Sequence, residues 1–157
     1  MVERIRGSIK KAVVAVPARL QSSRLPNKVL ADIGGQPMIQ RVLQRCREAG
    51  DVDAVVLCTD SDQLQRLAES WGFPVLMTSA ECSSGSERIA SVADALMALA
   101  WDDQPADPAR TAVINVQGDQ PFIDPVVIDA MVAEFQRRDL LPEVVTPVYG
   151  LGEETVH

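Results

Sequence analysis

Short segments rich in apolar residues alternate with longer amphipathic segments along most of the chain. The short segments predict strands buried on both faces of a sheet, and they are Ala12–Val16, Ala54–Cys58, Pro74–Met77, Ala112–Val116 and Glu143–Val148. The amphipathic segments carry apolar residues at helical spacing, and they predict helices at Gln36–Glu48, Ser86–Leu99 and Val126–Arg138. Another helix is predicted between the second and third strands, with an apolar stripe of Leu64, Leu67, Ala68 and Trp71. This alternation indicates an α/β fold with a mostly parallel sheet flanked by helices.

Residues that suit turns and helix ends stand between these segments. Ser61 or Asp62 can cap the second helix, and Gly72 is placed to end it. Asp124-Pro125 is a suitable starting pair for the last helix. Asp32–Gly35 predicts a tight turn, because the G-x-G-x-x-G spacing of a dinucleotide-binding loop is absent there.

The segments that follow the predicted strands are the candidate site. In parallel sheets, ligands bind beyond the carboxyl ends of the strands. Four segments occupy these positions, namely Pro17–Lys28, Thr59-Asp60, Thr78–Arg88 and Gln117–Pro121. We therefore expect their polar side chains to lie along one edge of the sheet.

The first of these segments gathers three cations, Arg19, Arg24 and Lys28, in a chain whose formal net charge is −7. An anionic ligand, most simply a nucleoside triphosphate, would explain them. A guanidinium can bind phosphate oxygens in pairs, and a lysine supplies a point charge. The alternative is a solvated loop whose cations pair with nearby carboxylates. The chain has no Walker A motif, so a P-loop NTPase is not supported.

Each of the other segments has a structural and a functional interpretation. Thr59 and Asp60 could begin a helix or contact a nucleoside. In the loop Ser83–Arg88, serine could cap the following helix with Glu87 in its first turn, or the free N–H groups at the helix start could bind an anion or a base edge. Asp119 could be a turn residue, or it could hold Mg²⁺ together with substrate phosphate oxygens.

Composition narrows the classes of function. The 157 residues suit one domain, and no basic stripe indicates nucleic acid as a partner. No apolar run approaches the roughly 18 residues of a membrane span, and no secretory signal is visible, so we expect a cytoplasmic protein. The only histidine is the last residue, His157, which leaves catalysis to carboxylates, cations, hydroxyls, amides or a metal. Cys46, Cys58 and Cys82 fit neither a disulfide framework nor a zinc ribbon.

Five blocks of sequence, in order, resemble the CMP-sugar-acid synthetase family, and within it the 3-deoxy-D-manno-octulosonate (Kdo) cytidylyltransferases. The blocks are VPARLQSSRLPNK, DIGGQPMIQRV, the TD after the second strand, SSGSERIA and NVQGDQPFI. The resemblance covers residues 12–150. It implies a Rossmann-like nucleotidyltransferase fold and the reaction CTP + Kdo → CMP-Kdo + diphosphate with Mg²⁺, as part of lipopolysaccharide biosynthesis.

The resemblance also implies roles for particular residues. The phosphate-binding cations of the family would fall on Arg19 and Lys28, with Arg24 alongside, and the metal-binding aspartate on Asp119. The contact with the sugar acid would fall on Gln117. Ser84 and Arg88 would lie near the base.

The family continues well beyond the last residue of this chain. The resemblance therefore implies that residues 1–157 are the nucleotide-binding part of a single nucleotidyltransferase domain, incomplete at the C-terminus, whose full-length form is a homodimer. Two alternatives remain at this stage. One is another sugar or sugar-acid nucleotidyltransferase, and the other is a catalytically inert CTP-binding fragment.

Overall fold

The computed structural model describes residues 9–21, 26–102, 104–137, 144–145, 150–151 and 154–155. Its strands, in chain order, are β1 (Lys11–Ala18), β2 (Asp32–Ile33), β3 (Gln36–Pro37), β4 (Ala54–Thr59), β5 (Val75–Met77), β6 (Thr111–Asn115), β7 (Val144–Val145), β8 (Gly150–Leu151) and β9 (Glu154–Thr155). Its helices are α1 (Met38–Arg47), α2 (Asp62–Ser70), α3 (Gly85–Ser91), α4 (Ala93–Trp101) and α5 (Pro125–Arg137). Short 3-10 turns cover Lys28–Leu30 and Pro108–Arg110. No helix in these ranges is long and apolar enough to cross a membrane.

The main sheet has five strands in the order β5-β4-β1-β6-β7, and every neighbouring pair in it is parallel. The predicted α/β fold is therefore confirmed. From β1 the chain first adds strands on one side, β4 and β5, and then returns to add β6 on the other side. The strand order thus reverses between β1 and β6, which is where open sheets of this kind form a ligand-binding crevice.

Two apolar clusters cover the two faces of the sheet. On one face, Val14 and Val16 of β1 pack with residues of α1 and α5. On the other face, Val13 and Ala15 pack with residues of α3 and α4. The predicted apolar stripe of the first helix is fully buried, at Ile39, Val42, Leu43 and Cys46. β1 is thus enclosed by strands at its sides and by helices above and below.

The predicted tight turn forms a small hairpin between β2 and β3. Gly34 and Gly35 have φ angles of 62° and 95°, which suit glycine. Gln36 and Pro37 belong to this hairpin, so α1 begins two residues later than the sequence pattern indicates.

The prediction of one helix over Ser86–Leu99 is wrong. The structure divides this segment at Val92, whose φ of −123° is not helical. The β-branched side chain of valine favours extended backbone, and the break separates α3 from α4.

Of the predicted strand Glu143–Val148, the structure describes β7, which pairs with Val113 and Ile114 of β6. The rest of that prediction lies outside the described residues.

A buried hydrogen-bond relay joins the end of α4 to the start of β6. The indole Nε1 of Trp101 donates to Oγ1 of Thr111 at 2.6 Å, and this hydroxyl donates to the backbone oxygen of Asp107 at 2.7 Å. Both Trp101 and Thr111 are buried. The hydroxyl is therefore the acceptor for a tryptophan N–H that has little access to water.

We expect Thr111→Val to lower the free energy of unfolding by about 1–3 kcal/mol, because the shape is kept while a buried N–H loses its acceptor. Thr111→Ser keeps the hydroxyl and should retain most of the stability. Urea denaturation of both variants would measure the difference. Equal stabilities for the valine variant and the unsubstituted protein would contradict this role for the relay.

Candidate functional site

A cleft of about 280 Å³ opens at the carboxyl edge of the sheet, beside the ends of β1 and β6. Three of the four predicted segments line it. The lining residues are Pro17, Ala18, Arg19, Lys28, Val29, Cys82, Ser83, Ser84, Gly85, Arg88, Gln117, Gly118 and Asp119. The strand order therefore reverses at the place where the segments that carry Lys28, Ser84 and Asp119 meet.

An ion pair crosses this cleft. Nζ of Lys28 lies 3.3 Å from Oδ2 of Asp119, and both side chains are close to half exposed, at 45% and 47%. Exposed pairs of this kind contribute at most about 1 kcal/mol, so the pair can open when a ligand competes for either partner. Arg19 is exposed on the same rim. The predicted phosphate-binding residue Arg24 lies outside the described residues.

Two glycines allow the walls of the cleft to approach closely. A Cβ atom on Gly118 would lie 3.1 Å from Cβ of Ala18 and 3.2 Å from the backbone oxygen of Pro17. A Cβ atom on Gly85 would lie 3.0 Å from Cγ of Pro17 and 3.1 Å from the amide atoms of Gln117. The end of β1 is thus packed against the segment after β6 and against the start of α3.

Gln117 has two polar partners, one for its side-chain amide and one for its backbone N–H. Its Nε2 donates to Oδ1 of Asn115 at 3.0 Å, and its backbone N–H donates to Oε1 of Gln120 at 3.1 Å. Asn115 is only 1% exposed, so its side chain is a fixed support. No role for Asn115 follows from the motifs, although an asparagine at the end of an otherwise apolar strand is a sequence signal for a buried polar support.

Ser84 begins α3 as its N-cap. Its Oγ accepts from the backbone N–H of Glu87 at 3.0 Å, while the Glu87 carboxylate accepts from the hydroxyl and the backbone N–H of Ser83. The hydrogen bond from the Ser83 hydroxyl, followed by the one from the Ser83 backbone N–H, lowers the pKa of the Glu87 carboxyl. The structural interpretation of Ser84 is therefore correct, and the same residue also borders the cleft.

Arg88 lies at the wall of the cleft, and the residue is only 3% exposed. Its Nη1 donates to Oγ1 of Thr78 and to the backbone oxygen of Ser79, the latter at 3.2 Å. Burial raises the pKa of the nearby Cys58 thiol to about 12, and the charge of Arg88 acts in the opposite direction. Thr78 is a second functional candidate that the sequence pattern does not distinguish from an ordinary strand-end residue.

Thr59 and Asp60 are not among the residues that line this cleft. Thr59 is fully buried, and its Oγ1 accepts from the backbone N–H of Ser61 at 3.2 Å. Ser61 in turn caps α2 by accepting from the backbone N–H of Leu64. The capping interpretation thus accounts for this strand end, and contact with a nucleoside stays a prediction.

Asp119 is the one carboxylate on the described cleft lining. No group of three or more histidine, cysteine, aspartate and glutamate residues suited to a metal occurs in the described ranges. A single exposed carboxylate fits a hard cation that takes its remaining ligands from a bound phosphate and water.

The three cysteines are buried and form no disulfide with each other. Burial raises the pKa of the Cys46 thiol to about 12.

Residues 13–156 match the family model described as "Cytidylyltransferase". Over 127 residues the chain is 43% identical to the 8-amino-3,8-dideoxy-manno-octulosonate cytidylyltransferase of Shewanella frigidimarina, covering 81% of this chain and 48% of that protein. Over 129 residues it is 43% identical to 3-deoxy-manno-octulosonate cytidylyltransferase 2 of Hydrogenovibrio crunogenus, covering 82% of this chain and 48% of that protein.

Solved structures show the same fold. A CMP:2-keto-3-deoxy-manno-octonic acid synthetase complexed with CTP is similar with a TM-score of 0.69 and 34% identity, over 80% of this chain and 47% of that one. A cytidylyltransferase from Leptospira borgpetersenii has a TM-score of 0.61 and 22% identity, over 80% of this chain and 48% of that one. This similarity supports the fold alone. The chain spans about half the length of the curated relatives it matches. With the family model matched over nearly all of its residues and this cleft at the expected edge of the sheet, the chain belongs to the cytidylyltransferase family.

Proposed function

We propose that this chain is the nucleotide-binding part of an enzyme that transfers CMP from CTP to the anomeric hydroxyl of Kdo, giving CMP-Kdo and diphosphate. The observation that carries the proposal is the meeting of Arg19, Lys28 and Asp119 at one cleft. Relatives with 43% identity are named for cytidylyl transfer to manno-octulosonates, which supports CTP and Kdo as substrates.

The cations of the cleft suit a triphosphate. Arg19 is exposed, so its guanidinium is available to two phosphate oxygens at once, and Lys28 can leave its weak pair with Asp119 to contribute a third contact. Both residues would reduce the charge repulsion between the phosphates and an incoming hydroxyl. Charge neutralisation and positioning account for most catalysis in phosphoryl transfer, so this reaction does not require a histidine.

Asp119 would hold Mg²⁺ through its exposed carboxylate, and bound phosphate and water would supply the other ligands. When bound, the cation would neutralise phosphate charge and favour departure of diphosphate. In the transfer, the anomeric oxygen of Kdo forms a bond to the α-phosphorus and releases its proton to solvent, while the bond from that phosphorus to diphosphate breaks. Gln117, whose amide is fixed by Asn115, would contact the sugar acid.

The 8-amino analogue of Kdo is the second candidate substrate. One 43% identical relative is named for 8-amino-3,8-dideoxy-manno-octulosonate, and the other for 3-deoxy-manno-octulosonate. Diphosphate release with CTP and each sugar acid, measured on the full-length protein, would choose between them.

We expect CTP with Mg²⁺ to stabilise the fold more than UTP, ATP or GTP does. A ligand that binds only the folded state raises stability by about 2.7 kcal/mol when its concentration is about a hundredfold above Kd. Thermal unfolding with each nucleotide at equal concentration measures this. Equal shifts with all four would contradict the cytidine assignment.

We expect Lys28→Ala to weaken CTP binding more than CMP binding, with a loss of about 1.5–3 kcal/mol for the triphosphate, because the residue is assigned to phosphates that CMP lacks. Lys11→Ala is the matched control, since Lys11 forms a comparable ion pair with Asp53, 3.7 Å away and outside the cleft. Titration calorimetry with both nucleotides gives the comparison. Equal losses for CTP and CMP would show that Lys28 does not bind the terminal phosphates.

We expect Asp119→Asn to abolish the Mg²⁺ dependence of CTP binding while the fold is retained, because the amide keeps the shape and removes the charge that a hard cation needs. Asp53→Asn is the control, because Asp53 belongs to the ion pair outside the cleft. The measurement is the CTP affinity as a function of MgCl₂ concentration. An unchanged Mg²⁺ dependence in Asp119→Asn would mean that another group holds the metal.

A further inference from the structure

The buried guanidinium of Arg88 is only partly used by the protein. Its Nη1 makes both observed hydrogen bonds, to Thr78 and to Ser79. Within the described ranges, Nε and Nη2 have no hydrogen-bond partner and no carboxylate forms an ion pair with the group. Arg88 therefore has N–H donors left for a ligand in the cleft that it lines.

Thr78 and Ser79, which accept from this guanidinium, follow a different strand from the cleft residues Lys28 and Asp119. They directly follow β5, whereas Lys28 follows β1 and Asp119 follows β6. In the observed order, β5 is two strands from β1 and three from β6, which is roughly 10–14 Å along the sheet edge. The electrostatic influence of Arg88 on Cys58, near the end of β4, agrees with this location. A nucleotide with its phosphates at Lys28 would extend its base toward Arg88.

The free donors suit one pyrimidine better than the other. Cytosine presents two adjacent acceptors, O2 and N3, and a guanidinium can donate to two such atoms in parallel. Uracil carries a hydrogen on N3, which would face another N–H. A site built around a specific hydrogen-bond pattern discriminates strongly against an analogue that cannot complete it.

We propose that Thr78 is a positioning residue for nucleotide selectivity, which holds Arg88 so that its free N–H edge accepts cytosine and rejects uracil. The inference rests on the proposed function, because it concerns the base of the nucleotide in the same cleft. Thr78 acts through Arg88 and is half-buried. Its hydroxyl fixes the rotation of the guanidinium, and without it the free edge loses its alignment with the base.

The test is titration calorimetry of CTP and UTP, at saturating MgCl₂, on the unsubstituted chain and four variants. Thr78→Val keeps the size and removes the acceptor, while Thr78→Ser keeps the hydroxyl. We expect the valine variant to lower the CTP-to-UTP affinity ratio about tenfold, the value of one hydrogen bond to a charged group, and the serine variant to preserve the ratio. Thr111→Val is the control, because it removes a buried threonine hydroxyl away from the cleft and should leave the ratio unchanged.

The outcomes separate the two proposals. If the unsubstituted chain prefers CTP and Thr78→Val weakens CTP and UTP by the same factor, Thr78 has no role in selectivity and this inference is overturned alone. If the unsubstituted chain does not prefer CTP, the cytidine assignment of the proposed function is overturned, and the inference with it. Thr78→Ala, which adds no atoms, is measured in parallel, so that a folding defect particular to valine does not remove the test.

Discussion

The burial of β1 is the constraint on which the rest of the molecule depends. The strand pairs in parallel with β4 on one side and β6 on the other, and helices cover both of its faces. Such a strand can present polar groups to solvent only where it ends. The polar segment after it must therefore begin at the sheet edge, and the parallel direction of β6 brings Gln117–Asp119 to the same edge.

The cleft combines two kinds of positive charge. Lys28 is exposed and paired with a carboxylate that a ligand can displace. Arg88 is buried and bonded only to neutral oxygens in the described part of the chain. An exposed ion pair adapts to its ligand at little cost, whereas a buried guanidinium is directional and costly to disturb. The first kind suits the flexible phosphates, and the second suits a flat base with a fixed pattern of donors and acceptors.

The sequence was sufficient to predict the central strands, because a buried strand is a local run of apolar residues. It also predicted the edge that carries the site, because ligands of parallel sheets bind beyond the carboxyl ends of the strands. It was not sufficient for features that depend on tertiary contacts. The break at Val92 ends a helix within a continuous helical pattern. Asn115 and Thr78 look like ordinary strand-end residues until their partners are known. Thr59 lies at the predicted edge, but its side chain is fully buried and accepts from the backbone N–H of Ser61, which the sequence alone does not show.

The two close-packed glycines limit how the cleft can be altered. At Gly85 and Gly118, any side chain would begin within about 3 Å of the facing wall, and at Gly118 that wall includes the backbone oxygen of Pro17. Main-chain atoms cannot move aside by rotation about a side-chain bond. The width of the cleft floor is therefore a property of the backbone, and a change of ligand preference by design has to come from the side chains around the floor rather than from enlarging or filling it.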